Sequence, residues 1–145
     1  MLYIISCLFF TALASSAGDQ SGDVLVEIDV NGRLKGQLHL ALFENASQFP
    51  ENASASQGVK LPVDAAVIKH TFKNVHWGTY AIAVFQDMNG NGKLDRNFFG
   101  VPSEPYAFSN NPVVKWKEPT FAEAAFELRQ SKVKVGVNLK YWKEY

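Results

Sequence analysis

Apolar residues alternate with polar ones along several stretches of the chain, which is the period of a β-strand with one buried face. The alternation is clearest in residues 133–141, where valines, a leucine and a tyrosine alternate with lysine, glycine and asparagine. In residues 24–30, three valines and Ile28 alternate with Leu25, Glu27 and Asp29. Similar patterns cover residues 36–43, 66–72 and 124–129. We predict a strand in each stretch, although the residues around position 124 are also compatible with a helical turn.

Residues 79–85 follow a different pattern, because both alternating sets of side chains are apolar: Tyr80, Ile82 and Val84 on one face, and Ala81, Ala83 and Phe85 on the other. A strand with two apolar faces is typical of the centre of a sheet that is covered on both sides. We predict a turn at residues 74–78, just before this strand. We also predict an exposed loop at 44–58 and a short edge strand at 113–116 in an otherwise proline-rich, irregular segment.

About seven strands with turn residues between them, and no long helical pattern, predict an all-β fold. The expected architecture is an antiparallel β-sandwich, and a closed β-barrel is the alternative. Residues 18–145 are long enough for one domain with its own core.

The first 17 residues carry no charge, and their apolar run ends in small residues. This pattern predicts a secretory signal peptide at residues 1–17, cleaved after Ala14 or Ala17. The apolar run is shorter than the ~20 residues of a membrane-spanning helix. We therefore expect a secreted or periplasmic protein with no transmembrane segment in the mature chain, which would also lack Cys7, the only cysteine.

The formal net charge is zero, and the charged residues are scattered along the chain. Binding to nucleic acid normally requires a clustered basic surface. The sequence therefore indicates no nucleic-acid partner and no polybasic membrane patch.

Oxygen-bearing side chains recur at alternate positions directly after the predicted central strand, at Asp87, Asn89 and Asn91, and return at Asp95. Hard cations such as Ca²⁺ bind several oxygens, and this spacing matches the first nine positions of an EF-hand-like loop. The carbonyl of Lys93 would supply the backbone ligand. These five residues are the predicted metal site, with Ca²⁺ as the expected cofactor.

The match to an EF-hand is incomplete. Phe98 occupies the twelfth position, where a bidentate Glu is expected, and a strand rather than a helix precedes the loop. The expected affinity is therefore weak, and Glu104 is an additional candidate ligand. The alternative is a metal-free turn, because Asn-Gly pairs such as those at 89–90 and 91–92 are typical of hairpin turns.

Residues 98–116 are rich in aromatic side chains for an irregular segment. One interpretation is that they cover the end of the sandwich and hold a long loop in place. The other is that Tyr106, Phe108 and Trp116 form a binding surface for an extracellular glycan or peptide, since binding residues are often placed on loops.

No catalytic arrangement is evident in the sequence. The three histidines fall in separate segments, and Ser109 is not within a Gly-x-Ser-x-Gly motif. We therefore expect a protein that is not an enzyme.

Three segments, 78–95, 99–111 and 119–126, together resemble a bacterial secreted family known only as domain of unknown function 2141. Ala107 departs from the glycine expected between two aromatic residues of the second segment. The resemblance implies an envelope or secreted protein with an immunoglobulin-like or prealbumin-like sandwich, and it implies no established activity.

Overall fold

The structure is a computed structural model that describes residues 20–50, 55–114 and 116–145. The predicted signal peptide, residues 1–17, lies outside the described residues. In chain order, the described strands are β1 (Ser21–Val30), β2 (Gln37–Phe43), β3 (Gln57–Pro62), β4 (Val67–His76), β5 (Gly78–Asp87), β6 (Tyr106–Phe108), β7 (Phe126–Leu128) and β8 (Lys132–Leu139). A short helix, α1 (Phe121–Ala124), precedes β7, and a 3-10 turn covers Trp142–Glu144.

The strands form two sheets. The three-stranded sheet has the order β4-β1-β8, and the five-stranded sheet has the order β3-β2-β5-β6, with β7 also paired to β5. In the described part of the chain neither sheet closes on itself, so the predicted all-β sandwich is confirmed and the barrel alternative is wrong. The predicted antiparallel arrangement has one exception, because β1 and β8 run parallel.

The main core lies between the two sheets. It consists of the inward-facing side chains of the alternating strands, such as Val26 and Ile28 of β1, Leu40 of β2 and Val137 of β8, each no more than 1% exposed. The alternation therefore predicted the buried face of these strands correctly. Because burial of apolar surface is the main favourable term in folding, this face also determines how the sheets pack.

β5 has the central position that its two apolar faces predicted. It lies between β2 and β6, and all its residues from Tyr80 to Asp87 are buried. One face joins the main core, and the other belongs to a second hydrophobic cluster on the outer side of the five-stranded sheet. The second cluster consists of Ala41, Phe43, Ala81, Ala83, Phe85, Tyr106, Phe108, Val114 and Ala124, with Phe49, Phe121, Trp142 and Tyr145 among the side chains that pack against it.

Several predicted boundaries are wrong. The turn predicted at 74–78 is shorter, because β4 continues to His76 and only Trp77 separates it from β5. Near the end of β4, Asn74 has a positive φ of 54°. Both conformations considered around residue 124 occur in succession, since α1 ends at Ala124 and β7 follows.

Two short strands were not predicted, and the first of them overlaps the predicted loop 44–58 only at its last two residues. β3 occupies residues 57–62 at the edge of its sheet, and β6 lies inside the proline-rich segment. The edge strand predicted at 113–116 is wrong for its described residues, which have no strand conformation. Short strands depend on pairing with a neighbour, and a three-residue pattern such as that of β6 carries little periodicity.

Candidate functional site

The loop that follows β5 begins at a buried carboxylate. Asp87 is only 2% exposed and ends the central strand. Its Oδ1 accepts a hydrogen bond from the Gly90 N–H at 2.7 Å, and its Oδ2 accepts one from the Gly92 N–H at 2.8 Å. Both glycines have positive φ, 80° and 79°, which other residues rarely adopt. The loop therefore bends around the Asp87 carboxylate.

The two asparagines extend this arrangement. The Oδ1 atoms of Asn89 and Asn91 accept the backbone N–H groups of Asn91 and Lys93, at 3.0 and 2.9 Å. Their Nδ2 groups donate to the two oxygens of Asp95, at 2.5 and 2.7 Å. All five predicted metal-site residues are thus held in one hydrogen-bonded loop. This geometry explains why the polar side chains recur at alternate positions.

Glu104 fastens both ends of the loop. Its carboxylate is buried, and its Oε1 accepts the Met88 N–H at 2.8 Å while its Oε2 accepts the Asp95 N–H at 3.0 Å. The residue considered as an additional ligand therefore has both oxygens engaged by the backbone. Its observed role is to close the loop at its base.

His39 of β2 faces the same carboxylate. Its Nε2 lies 3.3 Å from Asp87 Oδ2, and its ring stacks on Phe85 with the centroids 4.6 Å apart. Burial by itself would raise the pKa of Asp87, but the hydrogen bonds from Gly92 and Gly90 and the nearby His39 outweigh it and lower the pKa. The sequence did not reveal this contact, because it depends on the pairing of β2 with β5.

The negative charge at the loop is limited. No group of three or more His, Cys, Asp or Glu side chains suited to a metal ion occurs within residues 20–50, 55–114 and 116–145. Any cation in the loop would therefore need amide and backbone oxygens in addition to the carboxylates of Asp87 and Asp95. Such a mixed oxygen set is compatible with Ca²⁺ and unsuited to Zn²⁺, which binds through nitrogen, sulfur and carboxylate ligands.

The three residues predicted to bind a ligand differ in exposure. Tyr106 and Phe108 are each 7% exposed in the second hydrophobic cluster, and Tyr106 donates its hydroxyl hydrogen bond to the Val114 carbonyl at 3.0 Å. Trp116 is 82% exposed, and its ring lies 4.9 Å from that of Trp142 in an edge-on contact. Two of the three therefore pack into the second hydrophobic cluster, and Trp116 is the one whose ring is mostly exposed.

All three residues nevertheless line one surface pocket of about 380 Å³. Its polar lining includes Arg96 and Glu118, which form an ion pair with 3.1 Å between Arg96 Nη2 and Glu118 Oε1. An adjoining pocket of about 320 Å³ shares Tyr106, Phe108 and this ion pair. Arg96, Glu118 and Trp142 were not predicted as site residues, because they come together only through the folding of the long loop.

The Ser109 hydroxyl is hydrogen-bonded to backbone groups within the fold. This buried hydroxyl accepts a hydrogen bond from the Ile82 N–H at 2.9 Å and donates one to the Ala124 carbonyl. The side chain therefore links the end of β6 to β5 and α1. His39 and His70 lie on strands of different sheets.

Comparisons with known proteins identify a family. No curated protein and no solved structure matches the chain. Among the described residues, no helix combines the length and apolar character needed to cross a membrane. The model of one family, described as "Uncharacterized protein conserved in bacteria (DUF2141)", matches residues 26–136, which include the loop after β5 and the whole aromatic segment 98–116. The chain therefore belongs to this bacterial family of uncharacterised proteins.

Proposed function

We propose that this protein is a secreted or periplasmic, non-catalytic β-sandwich in which the loop Asp87–Asp95 binds Ca²⁺ and has a structural or adhesive role. The observation that carries the proposal is that the Asn89 and Asn91 side chains both contact Asp95, in a loop that also bends around the buried Asp87 carboxylate. The localisation rests on the uncharged, apolar character of residues 1–17.

The hydrogen bonds of the loop leave lone pairs on its oxygens that could coordinate a cation. A carboxylate or amide oxygen has two lone pairs, so the Oδ1 of Asn89 can accept a backbone N–H and still coordinate a metal ion. The same applies to Asn91 and to Asp87. The contacts between the asparagine Nδ2 groups and Asp95 would be exchanged for contacts to the ion. Because only two carboxylates contribute, we expect a dissociation constant of roughly 10⁻⁴–10⁻³ M, as in extracellular calcium modules.

Thermal unfolding in calcium, in magnesium and in chelator tests this proposal. A ligand that binds only the folded state raises the unfolding midpoint once its concentration exceeds the dissociation constant. We expect millimolar Ca²⁺ to raise the midpoint of the wild-type protein and magnesium to raise it less, since Mg²⁺ requires a stricter octahedral geometry.

The variant for this test is Asp95→Ala, because Asp95 is less buried than Asp87 and its removal is less disruptive to the core. The matched control is Asp64→Ala, at an exposed position outside the loop. The calcium response should disappear in the first variant and persist in the second. An equal midpoint in calcium and in chelator for the wild-type protein would refute the cation site.

A second candidate function is binding of a glycan or peptide, and the pocket beside Trp116 is the observation that favours it. An exposed tryptophan next to an ion pair and a buried tyrosine offers both stacking surface and hydrogen-bonding groups. This function does not require a metal.

Binding to a glycan and peptide array tests the second candidate. We expect Trp116→Ala to lose the signal, because Trp116 is an 82% exposed aromatic side chain of the pocket and tryptophan is frequent among the residues that dominate binding. Trp77→Ala, which removes a partly exposed tryptophan between β4 and β5, should retain it. The absence of wild-type binding to every array component, or an equal signal from Trp116→Ala, would contradict this function.

A further inference from the structure

Phe98 and Phe99 occupy the tip of a small hairpin between the loop Asp87–Asp95 and β6. Phe98 is 98% exposed and Phe99 is 84% exposed. Apart from its neighbour, whose ring centroid lies 5.6 Å away, Phe98 makes almost no contact that would shield it from water. Exposure of two large apolar side chains together is unfavourable in water, and such patches often mark interaction sites.

The hairpin holds these side chains outward. The Gly100 N–H donates to the Asn97 carbonyl at 2.9 Å, and the Asn97 N–H donates to the Val101 carbonyl at 2.8 Å. The Asn97 side-chain oxygen also accepts the Phe99 N–H at 2.9 Å and the Val101 N–H at 3.1 Å. Gly100 has a φ of 76°, which favours glycine at the turn. The tip is therefore a defined turn that presents both rings to solvent.

Further aromatic and cationic groups surround the tip. Phe99, Arg96, Lys117 and Trp116 line the same pocket, so they are neighbours on one surface. Lys93 lines the adjoining pocket together with Arg96. The acidic side chain in this lining is Glu118, which is paired with Arg96. Lys117 thus adds positive charge to the surface that includes Phe99, and Lys93 adds positive charge to the adjoining pocket.

We propose that Phe98 and Phe99 insert into the surface of an anionic lipid bilayer, with the neighbouring cationic side chains at the headgroups. A projecting pair of rings can enter the boundary between headgroups and acyl chains without a complementary groove, and aromatic residues favour this region. Positive charges beside the rings complement an anionic membrane surface. The proposal commits to a lipid surface, and it does not depend on the cation site.

Co-sedimentation with vesicles tests the proposal. The probes are phosphatidylglycerol vesicles and phosphatidylcholine vesicles, each in calcium and in chelator. We expect the protein to sediment with phosphatidylglycerol vesicles in at least one of the two buffers, and less with phosphatidylcholine. Binding in chelator would support insertion even if the calcium test of the loop failed.

The variant is the double substitution Phe98→Ser and Phe99→Ser, which should fold normally because both side chains are exposed. Burial of a phenylalanine is worth about 1.5–3 kcal/mol, which corresponds to a loss of at least about tenfold in vesicle affinity for each ring removed. The control is Trp77→Ser, which removes a partly exposed aromatic side chain from the connection between β4 and β5. The preceding residue, His76, pairs with the first residue of β1. The control variant should sediment like the wild-type protein.

Three results would overturn the proposal. The first is no sedimentation of the wild-type protein in either buffer, and the second is equal sedimentation of the double variant. The third is a dimer, detected by light scattering, that the double variant abolishes, since the rings would then be covered by a second copy of the chain.

Discussion

At the scale of single residues, Asp87 has the most constrained position in the candidate site. It is buried, accepts two backbone N–H groups and lies beside His39. Gln86, its neighbour in β5, is fully buried and donates from Nε2 to the carbonyls of Arg33 and Lys35, each at 2.7 Å. The Gln86 contacts tie the end of β5 to the connection between β1 and β2.

The lowered pKa of Asp87 predicts a loss of stability in acid. Because the pKa in the folded state lies below the ordinary value of 3.8, the ionised carboxylate stabilises the fold above that pH. This contribution decreases as the pH falls through the folded-state pKa. We expect Asp87→Asn to be less stable than the wild-type protein at neutral pH and to show a smaller further loss below about pH 4.

Urea unfolding at several pH values measures this effect. Asp64→Asn, a change at an exposed carboxylate, is the control and should follow the wild-type curve. If Asp87→Asn and the wild-type protein lost stability in parallel as the pH fell, the proposed role of the Asp87 charge would be wrong.

At the scale of elements, the junction between the β1–β2 connection and the loop depends on close backbone approach. Gly36 has a φ of 76°, and a Cβ at this position would lie 2.0 Å from the Asp87 carbonyl oxygen and 2.9 Å from the Met88 Cα. Both atoms belong to the backbone and cannot move aside without displacing the loop. Only glycine satisfies both the conformation and the spacing.

We therefore predict that Gly36→Ala destabilises the protein by at least about 1 kcal/mol, since it adds backbone strain to a steric clash. Gly136→Ala in β8 is the matched control, because its Cβ would meet no atom within 4 Å and its φ is not positive. Urea unfolding measures both changes. Equal stability of the two variants would show that the junction tolerates a side chain.

At the scale of the whole molecule, the five-stranded sheet joins two hydrophobic clusters. Ile82 belongs to the main core and Phe43 to the second hydrophobic cluster, and both are fully buried. β5 contributes residues to both clusters. β2 and β6 also contribute residues to both clusters, so the packing on one face of the sheet is connected to the packing on the other through three strands.

This connection predicts one cooperative unfolding transition. Ile82→Ala should lower the free energy of unfolding by about 2–5 kcal/mol and Phe43→Ala by about 3–5 kcal/mol. Val67→Ala, at a position that is 46% exposed on β4, is the control and should change it little. Circular dichroism and tryptophan fluorescence should report coincident urea transitions for every variant. Separate transitions would mean that the second hydrophobic cluster unfolds independently of the main core.

The sequence by itself determined the strands with strong periodicity, the central position of β5 and the loop at Asp87–Asp95. These features are local, because alternation records which side chains face the core and the spacing of Asp and Asn records a turn that uses their oxygens. Short elements such as β6 were missed, since three residues contain too little pattern to distinguish a strand from a loop.

Only the tertiary structure decided which strands pair and which side chains meet. The parallel pairing of β1 with β8, the contact of His39 with Asp87, and the closure of the loop by Glu104 all join residues distant in the sequence. Such contacts depend on the total free energy of packing both sheets, and no local pattern encodes them. Tertiary packing likewise decides that Tyr106 and Phe108 are buried, whereas Phe98 and Phe99 are exposed.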